Sequence, residues 1–323
     1  MALIVLEPLD ARIPEWNHEQ LIVRLCPFCG TNNRSVLMRP DKLPGAFCNT
    51  CGCWYVAKIP SMLDIDKQYD EYYHTQRPTD FSGKTASRML KDARKASEID
   101  WQLNTLSKLI GGIKGKRVLD VGCGICRFLL LARSRGADVV GCDLSPEACG
   151  FANNKLGIKV HQSELHLCHS SIGNVDAVVM RDFIEHPVEP LIDIQAAVSI
   201  LKLGGLLLLD TPNGGEAGTS VETAKKWVGF RVDLEHLQYL SPHTVNWLSR
   251  KTGLVIERLE AFGFPRLKGI DKLPKRGRNY VFISLREIAK KIPYMYKIVR
   301  ALRTLKREPH LGSYHLFAIL RKV

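Results

Sequence analysis

The chain has 323 residues, with 46 Lys and Arg against 33 Asp and Glu, for a formal charge of +13. Apolar residues make up 45% and charged residues 24%, a globular balance that excludes a disordered polyelectrolyte. No apolar run reaches the ~18 residues of a membrane span. Residues 3–6 are apolar, but the run is too short for a secretory core and Glu7 follows at once. The expectation is therefore a cytoplasmic protein. In a reducing compartment its ten cysteines read as metal ligands or buried thiols, not disulfides.

Five of the ten cysteines fall between residues 26 and 53. Cys26-Pro27-Phe28-Cys29-Gly30 and Cys48-Asn49-Thr50-Cys51-Gly52 are two C-x-x-C-G knuckles with 18 residues between them. Each knuckle sets two thiolates on one tight turn, and the following glycine frees the backbone to turn toward sulfur with a positive φ. Four thiolates make the closed tetrahedral site of a structural zinc ion. Residues 1–60 are thus expected to form a zinc ribbon on Cys26, Cys29, Cys48 and Cys51, with Cys53 packing beside it. Residues 61–110 read as a linker with Tyr69, Tyr72 and Tyr73, followed by helical spacing over 85–110 that ends at Gly111-Gly112.

Residues 111–323 alternate short apolar strands with helical segments, the pattern of an α/β fold with a parallel sheet. Arg117-Val-Leu-Asp-Val121 runs into Gly122-Cys-Gly124, then a helix over 128–135. A second strand ends at Asp143, which lies 19 residues beyond Gly124. Ser145 then caps a helix over 146–156. Further strands are expected at 158–160, 175–180, 206–209, 255–262 and 313–320. A carboxylate at the end of the second strand can accept both hydroxyls of a ribose. Arg127 stands where a dinucleotide fingerprint needs its third glycine, which argues against that ligand.

With these motifs the chain resembles the class I S-adenosylmethionine (SAM)-dependent methyltransferases. Val118-Leu-Asp-Val-Gly-Cys-Gly124, Gly141-Cys-Asp-Leu-Ser145, Val175-Asp-Ala-Val-Val179 and the run from Leu203 to Asn213 carry the likeness. Cys126 departs from it, standing where the family usually has a third glycine. The resemblance implies a Rossmann-like seven-stranded sheet with an antiparallel last strand. It implies that Gly122 and Gly124 face the methionine moiety and that Asp120 orients its amino group. Asp143 would bind the ribose, Leu144 would pack on adenine, and Ser163, Glu164 or Leu165 would edge it.

The acceptor side is expected at Asp182-Phe-Ile-Glu185-His186, where positions i, i+3 and i+4 share a face if the segment turns helically. Three readings stay open. His186 is a natural general base for an alcohol, oriented by Glu185. Alternatively, Asp182, Glu185 and His186 hold a divalent cation. The ubiquinone-pathway and small-RNA 2′-O-methyltransferases carry a similar E-x-x-E-H there, although Asp182 is one methylene shorter. In the third reading the group only caps the strand. Glu235-His236 can supply a further partner over the pocket.

The charge is local. Residues 264–308 hold 14 basic and 3 acidic side chains. Val281, Leu285, Ile288 and Ile292, then Met295, Ile298, Val299, Leu302 and Leu305, recur at helical spacing between them. The stretch 264–310 is read as a basic helical insertion. It either packs on the body or meets an anionic membrane surface from the cytoplasmic side; nucleic acid ranks below both, because interleaved aromatics are few. Ribbon, Tyr-rich linker and body together resemble a bacterial subgroup acting on surface polysaccharides, deoxysugars and secondary metabolites. The expected reaction is methyl transfer to a hydroxyl or carbon of a sugar or polysaccharide precursor, with a small-molecule or lipid-linked glycan acceptor. The alternatives are a quinone or RNA 2′-O-methyltransferase, and a zinc-ribbon nucleic-acid-binding module without catalysis.

Overall fold

The computed structural model describes residues 3–9, 13–71, 80–263 and 313–323. The basic insertion and Tyr72-Tyr73 lie outside them, as does each role read for them above. No described helix is long and apolar enough to cross a membrane.

The N-terminal region is built from short strands: β1 (Ile4–Val5), β2 (Ile22–Val23), β3 (Ser35–Met38), β4 (Pro44–Phe47), β5 (Trp54–Val56) and β6 (Lys58–Ile59). Three helices follow, α1 (Met62–Glu71), α2 (Gly83–Ile99) and α3 (Trp101–Leu109). The periodicity over 85–110 predicted one helix; the structure has two. Asp100 leaves helical geometry at ψ 108, and its carboxylate accepts the Leu103 N–H to cap the next turn. That capping bond offsets the cost of the break.

The central alternation then unfolds as β7 (Arg117–Val121), α4 (Arg127–Ser134), β8 (Asp138–Asp143), α5 (Pro146–Phe151), β9 (Lys159–Gln162), α6 (Leu165–Ile172), β10 (Val175–Arg181), α7 (Pro190–Ile200) and β11 (Leu201–Pro212). The helix expected over 146–156 is α for one stretch only. It continues as a π turn, Ala152–Leu156, and stops at Gly157, whose φ is 60°. The chain closes with α8 (Val221–Ala224), β12 (Gln238–Tyr239), α9 (Pro242–Thr252), β13 (Leu254–Phe262) and β14 (His315–Lys322).

The main sheet has seven strands in the order β13-β14-β11-β10-β7-β8-β9. From β9 to β11 the pairs are parallel, while β14 runs antiparallel to both β11 and β13. The parallel strands are near-continuous apolar runs because helices cover both faces: Val118, Leu119 and Val121, Val178 to Met180 and Leu206 to Leu209 are all buried. The seven strands and the antiparallel ending match the expected methyltransferase sheet.

A second, five-stranded sheet runs β1-β3-β4-β5-β12. Its last strand comes from beyond β11 in the chain: Tyr239 pairs with Trp54 and Gln238 with Tyr55. The buried cluster around Cys26, Cys48 and Cys51 also continues through Leu240, Val245 and Leu248 into Val178 and Leu207. Hydrophobic burial therefore ties the cysteine region to the body without a gap.

Candidate functional site

A cavity of about 580 Å³ opens at the carboxyl ends of the parallel strands. The loops after β7, β8 and β10, residues of the N-terminal region and the 233–237 loop all line it.

The turn after β7 brings the backbone to the cavity floor. Gly122 and Gly124 have φ values of 67° and 48°, where side chains are strained. A Cβ on Gly122 would also stand 2.7 Å from the Phe183 ring. Cys126, in the family's glycine position, takes the same left-handed conformation at φ 57°. Its buried thiol faces Cys123 Sγ at 3.6 Å.

Asp143 is held from two sides. One carboxylate oxygen accepts the Gly124 N–H at 2.7 Å and the other the Ser145 N–H at 2.9 Å. Burial raises its pKa, and these backbone donors oppose the rise. Leu144, beside it on the cavity wall, is 57% exposed, a large apolar surface ready to be covered. Glu164 lines the same wall and lies 3.2 Å from His166 Nε2. Asp120 and Gly124 do not line the cavity. Asp120 lies beneath the turn, and burial pushes its carboxyl up to about 7 against the opposing pull of Arg181.

Across the cavity, the segment after β10 turns sharply and forms no helix. Asp182 has φ 48°, and its N–H donates to Asp210 O at 2.7 Å. His186 N–H closes a tight turn on Phe183 O at 2.9 Å. The helical face that would have united Asp182, Glu185 and His186 is therefore not formed. Instead, ligand atoms of Glu185, His186 and His236 lie within 4.8 Å of one another. The two imidazole rings meet edge to face at 4.8 Å between centroids. Asp182 lines the cavity without joining the group.

Glu185 is fully buried. One oxygen accepts the Thr211 hydroxyl at 2.9 Å, and the other, Oε1, has no hydrogen-bond partner. Burial first, and then the charge of Asp182, pushes its carboxyl well above the usual range. An orphaned buried carboxylate oxygen is costly, and a cation between it and two imidazoles would satisfy it. The donor set of one carboxylate and two imidazoles suits a divalent metal.

The four knuckle cysteines converge as their spacing implied. Their sulfurs lie within 4.8 Å of one another, Cys26 to Cys51 at 3.4 Å and Cys29 to Cys48 at 3.3 Å. Gly30 and Gly52 have φ values of 71° and 73°, and their N–H groups donate to Cys26 O and Cys48 O. Cys53 stands outside the group, its thiol donating to Trp54 O at 3.1 Å. The Thr31 hydroxyl also lies 3.0 Å from Cys29 Sγ and 3.1 Å from Cys48 Sγ.

Trp16, Tyr314 and His315 also line the cavity. Sequence reasoning missed all three, since an isolated aromatic far from the motifs carries no local signal.

Residues 91–259 match a family described as a methyltransferase domain. Among curated proteins, the chain is 33% identical over 119 residues to a ubiquinone biosynthesis O-methyltransferase of Acinetobacter baumannii (strain AYE), covering 35% of this chain and 50% of that one. It is 38% identical over 107 residues to the protein of that name from Xanthomonas campestris pv. campestris (strain B100), covering 31% and 45%. The chain thus spans about half the length of these curated relatives. Among solved structures, a magnesium protoporphyrin IX methyltransferase from Synechocystis PCC 6803 with bound S-adenosylhomocysteine (SAH) aligns over 80% of this chain and 100% of its own, at 14% identity and a TM-score of 0.46. A SAM-dependent methyltransferase from Archaeoglobus fulgidus aligns over 80% and 99%, at 18% identity and a TM-score of 0.44. The family match covers just over half of the chain, and the chain belongs to the methyltransferase-domain family.

Proposed function

We propose that the enzyme moves the SAM methyl group to a hydroxyl oxygen of a ring-bearing acceptor, first of all a sugar or polysaccharide precursor. One observation carries this reading: Glu185, His186 and His236 gather beside the cavity that Asp143 and Gly122 line from the other side. Methyl transfer needs an acceptor oxygen held in line with the sulfonium methyl, and it needs somewhere for the hydroxyl proton to go. The Trp16 indole lines the same cavity, and in this reading it packs against the acceptor ring. A quinol ring is the second reading, favoured by the relatives named as ubiquinone biosynthesis O-methyltransferases.

In this account Asp143 grips the ribose hydroxyls, Leu144 and Glu164 border the adenine, and Gly122 and Gly124 let the backbone approach the methionine portion. Asp120 ionises toward the cofactor ammonium through the turn. Glu185, His186 and His236 hold a divalent cation, with Asp182 nearby as an outer carboxylate. That cation, when bound, would supply Lewis-acid polarisation of the acceptor hydroxyl, lowering its pKa so that its proton could pass to water near neutral pH. The four knuckle cysteines hold zinc with a purely structural task.

Chelation tests the acceptor reading. Activity on a hydroxyl acceptor should vanish with EDTA and return with Mg²⁺ or Mn²⁺. Full activity under chelation that is lost in His186→Ala would make His186 the general base and remove the cation.

On the donor side, Asp143→Ala should weaken SAM binding by about 10- to 100-fold in calorimetry, the worth of hydrogen bonds to a charged group. Unchanged affinity would take Asp143 out of the site.

Asp120→Asn separates stability from binding. A carboxyl whose folded pKa of about 7 lies above its unfolded value has its full stabilising share below about pH 4. That share is lost as pH rises through 7. The neutral variant should therefore be more stable than wild type at pH 8, by about 2–4 kcal/mol in urea titration. The gap should narrow toward pH 5, and SAM affinity should fall. A variant less stable than wild type at pH 8 contradicts the assignment.

Purified protein should contain about one zinc per chain by metal analysis, and the double substitution Cys48→Ser, Cys51→Ser should lose it. Undiminished zinc in that variant would show the metal lies elsewhere.

A further inference from the structure

The cluster residues Glu185, His186 and His236 stand on two irregular loops, 182–189 and 231–237, not on a regular element. Loops of this kind are held in place by whatever satisfies their backbone groups. Here two guanidiniums from the cysteine region do much of that work.

Arg39 is fully buried. Its Nη1 donates to His236 O and, at 2.9 Å, to the Tyr239 hydroxyl, and its Nη2 donates to Leu234 O. Asp41 accepts from Arg39 Nε at 3.1 Å and also from Trp16 Nε1 at 2.9 Å. Arg24 is 8% exposed. Its Nη2 reaches Val188 O at 2.7 Å and Gln238 Oε1 at 2.6 Å. Gln238 passes the link on, donating through Nε2 to Ile184 O at 2.7 Å and Pro187 O at 2.9 Å. Leu237 N–H then joins the loops by donating to Glu185 O at 2.8 Å. The donor side is different: the bonds that fix Asp143 come from Gly124 and Ser145, within the parallel sheet's own loops.

We propose that Arg24 and Arg39 are positioning residues for the acceptor and cation side of the site, so that the cysteine ribbon shapes the acceptor half while leaving the SAM half to the main sheet. The inference rests on the reading of Glu185, His186 and His236 given above. A guanidinium is suited to the task, because its planar fork of donors can reach several carbonyls at fixed angles, and an ammonium cannot copy that geometry.

Two substitutions separate positioning from mere stability. Arg24→Met removes a buried charge whose direct acceptors are carbonyl and amide oxygens, so the relief of desolvation offsets the lost bonds and the fold persists. Gln238→Glu keeps an acceptor for Arg24 and loses the two donors to Ile184 and Pro187. The full chain is compared with both variants in three readouts: hydrogen exchange at the His186, Leu237 and Gln238 amides, Mn²⁺ binding by electron paramagnetic resonance, and SAM affinity by calorimetry.

The expected result in either variant is a rise in exchange at those amides of about tenfold or more and a fall in Mn²⁺ affinity of similar size, with SAM affinity unchanged. A variant that melts earlier yet keeps exchange at the three amides and Mn²⁺ affinity at wild-type values would overturn the proposal. The two readings fail separately. Wild type that takes no Mn²⁺, or Glu185→Gln that keeps it, sinks the cation site alone, and the exchange arm still decides whether the guanidiniums position the loops.

Discussion

Everything in the site follows from one topological constraint, the reversal of sheet growth at β7. From β7 the chain adds β8 and β9 on one side, then returns to add β10 and β11 on the other. The loops after β7 and β10 must therefore diverge, and a crevice opens between them at the carboxyl edge. The two loops still pack together at one point, where a Cβ on Gly122 would stand 2.7 Å from the Phe183 ring. The sheet thus fixes where the cavity opens before any side chain is chosen. Asp143, anchored by two backbone N–H groups from different loops, then gives the crevice its polarity.

Much of this was legible because the responsible interactions are local. Glycine pairs announce positive φ, apolar runs announce buried parallel strands, and an acidic residue at a strand end announces a polar ligand. The cysteine knuckles are legible for the same reason, since ligand spacing is set by a single turn. What could not be read depends on distant partners. Asp182 was grouped with Glu185 and His186 on the assumption of helical spacing, but a left-handed residue and a tight turn put His236 in its place. Arg24 and Arg39 resemble surface residues in the sequence, and their carbonyl partners lie some two hundred positions away. The two-residue strand β12 is too short to show periodicity, although it joins the cysteine region's sheet to the catalytic body. Asp100 was hidden inside a continuous apolar stripe, because spacing reports which face is buried and not where a cap interrupts the backbone.

The site keeps several charged groups under unfavourable solvation. Asp120 and Glu185 are both raised by burial, and Arg24 is lowered to about 10 by the same cause. A fold selected for stability alone would replace such groups with apolar ones. In the reading proposed above, such groups are satisfied by something brought from outside, as a cation would satisfy Glu185 Oε1. Arg24 differs: its two terminal nitrogens bond oxygens of the loops it holds, while its Nε has no hydrogen-bond partner among the described residues. The N-terminal region then has a defined place in the enzyme. Its cysteines close a small core, and its guanidiniums extend that order into loops that the main sheet does not reach.

The most direct test of the account is a crystal structure of the protein with bound SAH. The account predicts the ribose hydroxyls within hydrogen-bond reach of the Asp143 carboxylate, the adenine against Leu144, and the sulfur directed across the cavity toward Glu185, His186 and His236. SAH bound away from Asp143, or with its sulfur turned from the two imidazoles, would contradict it.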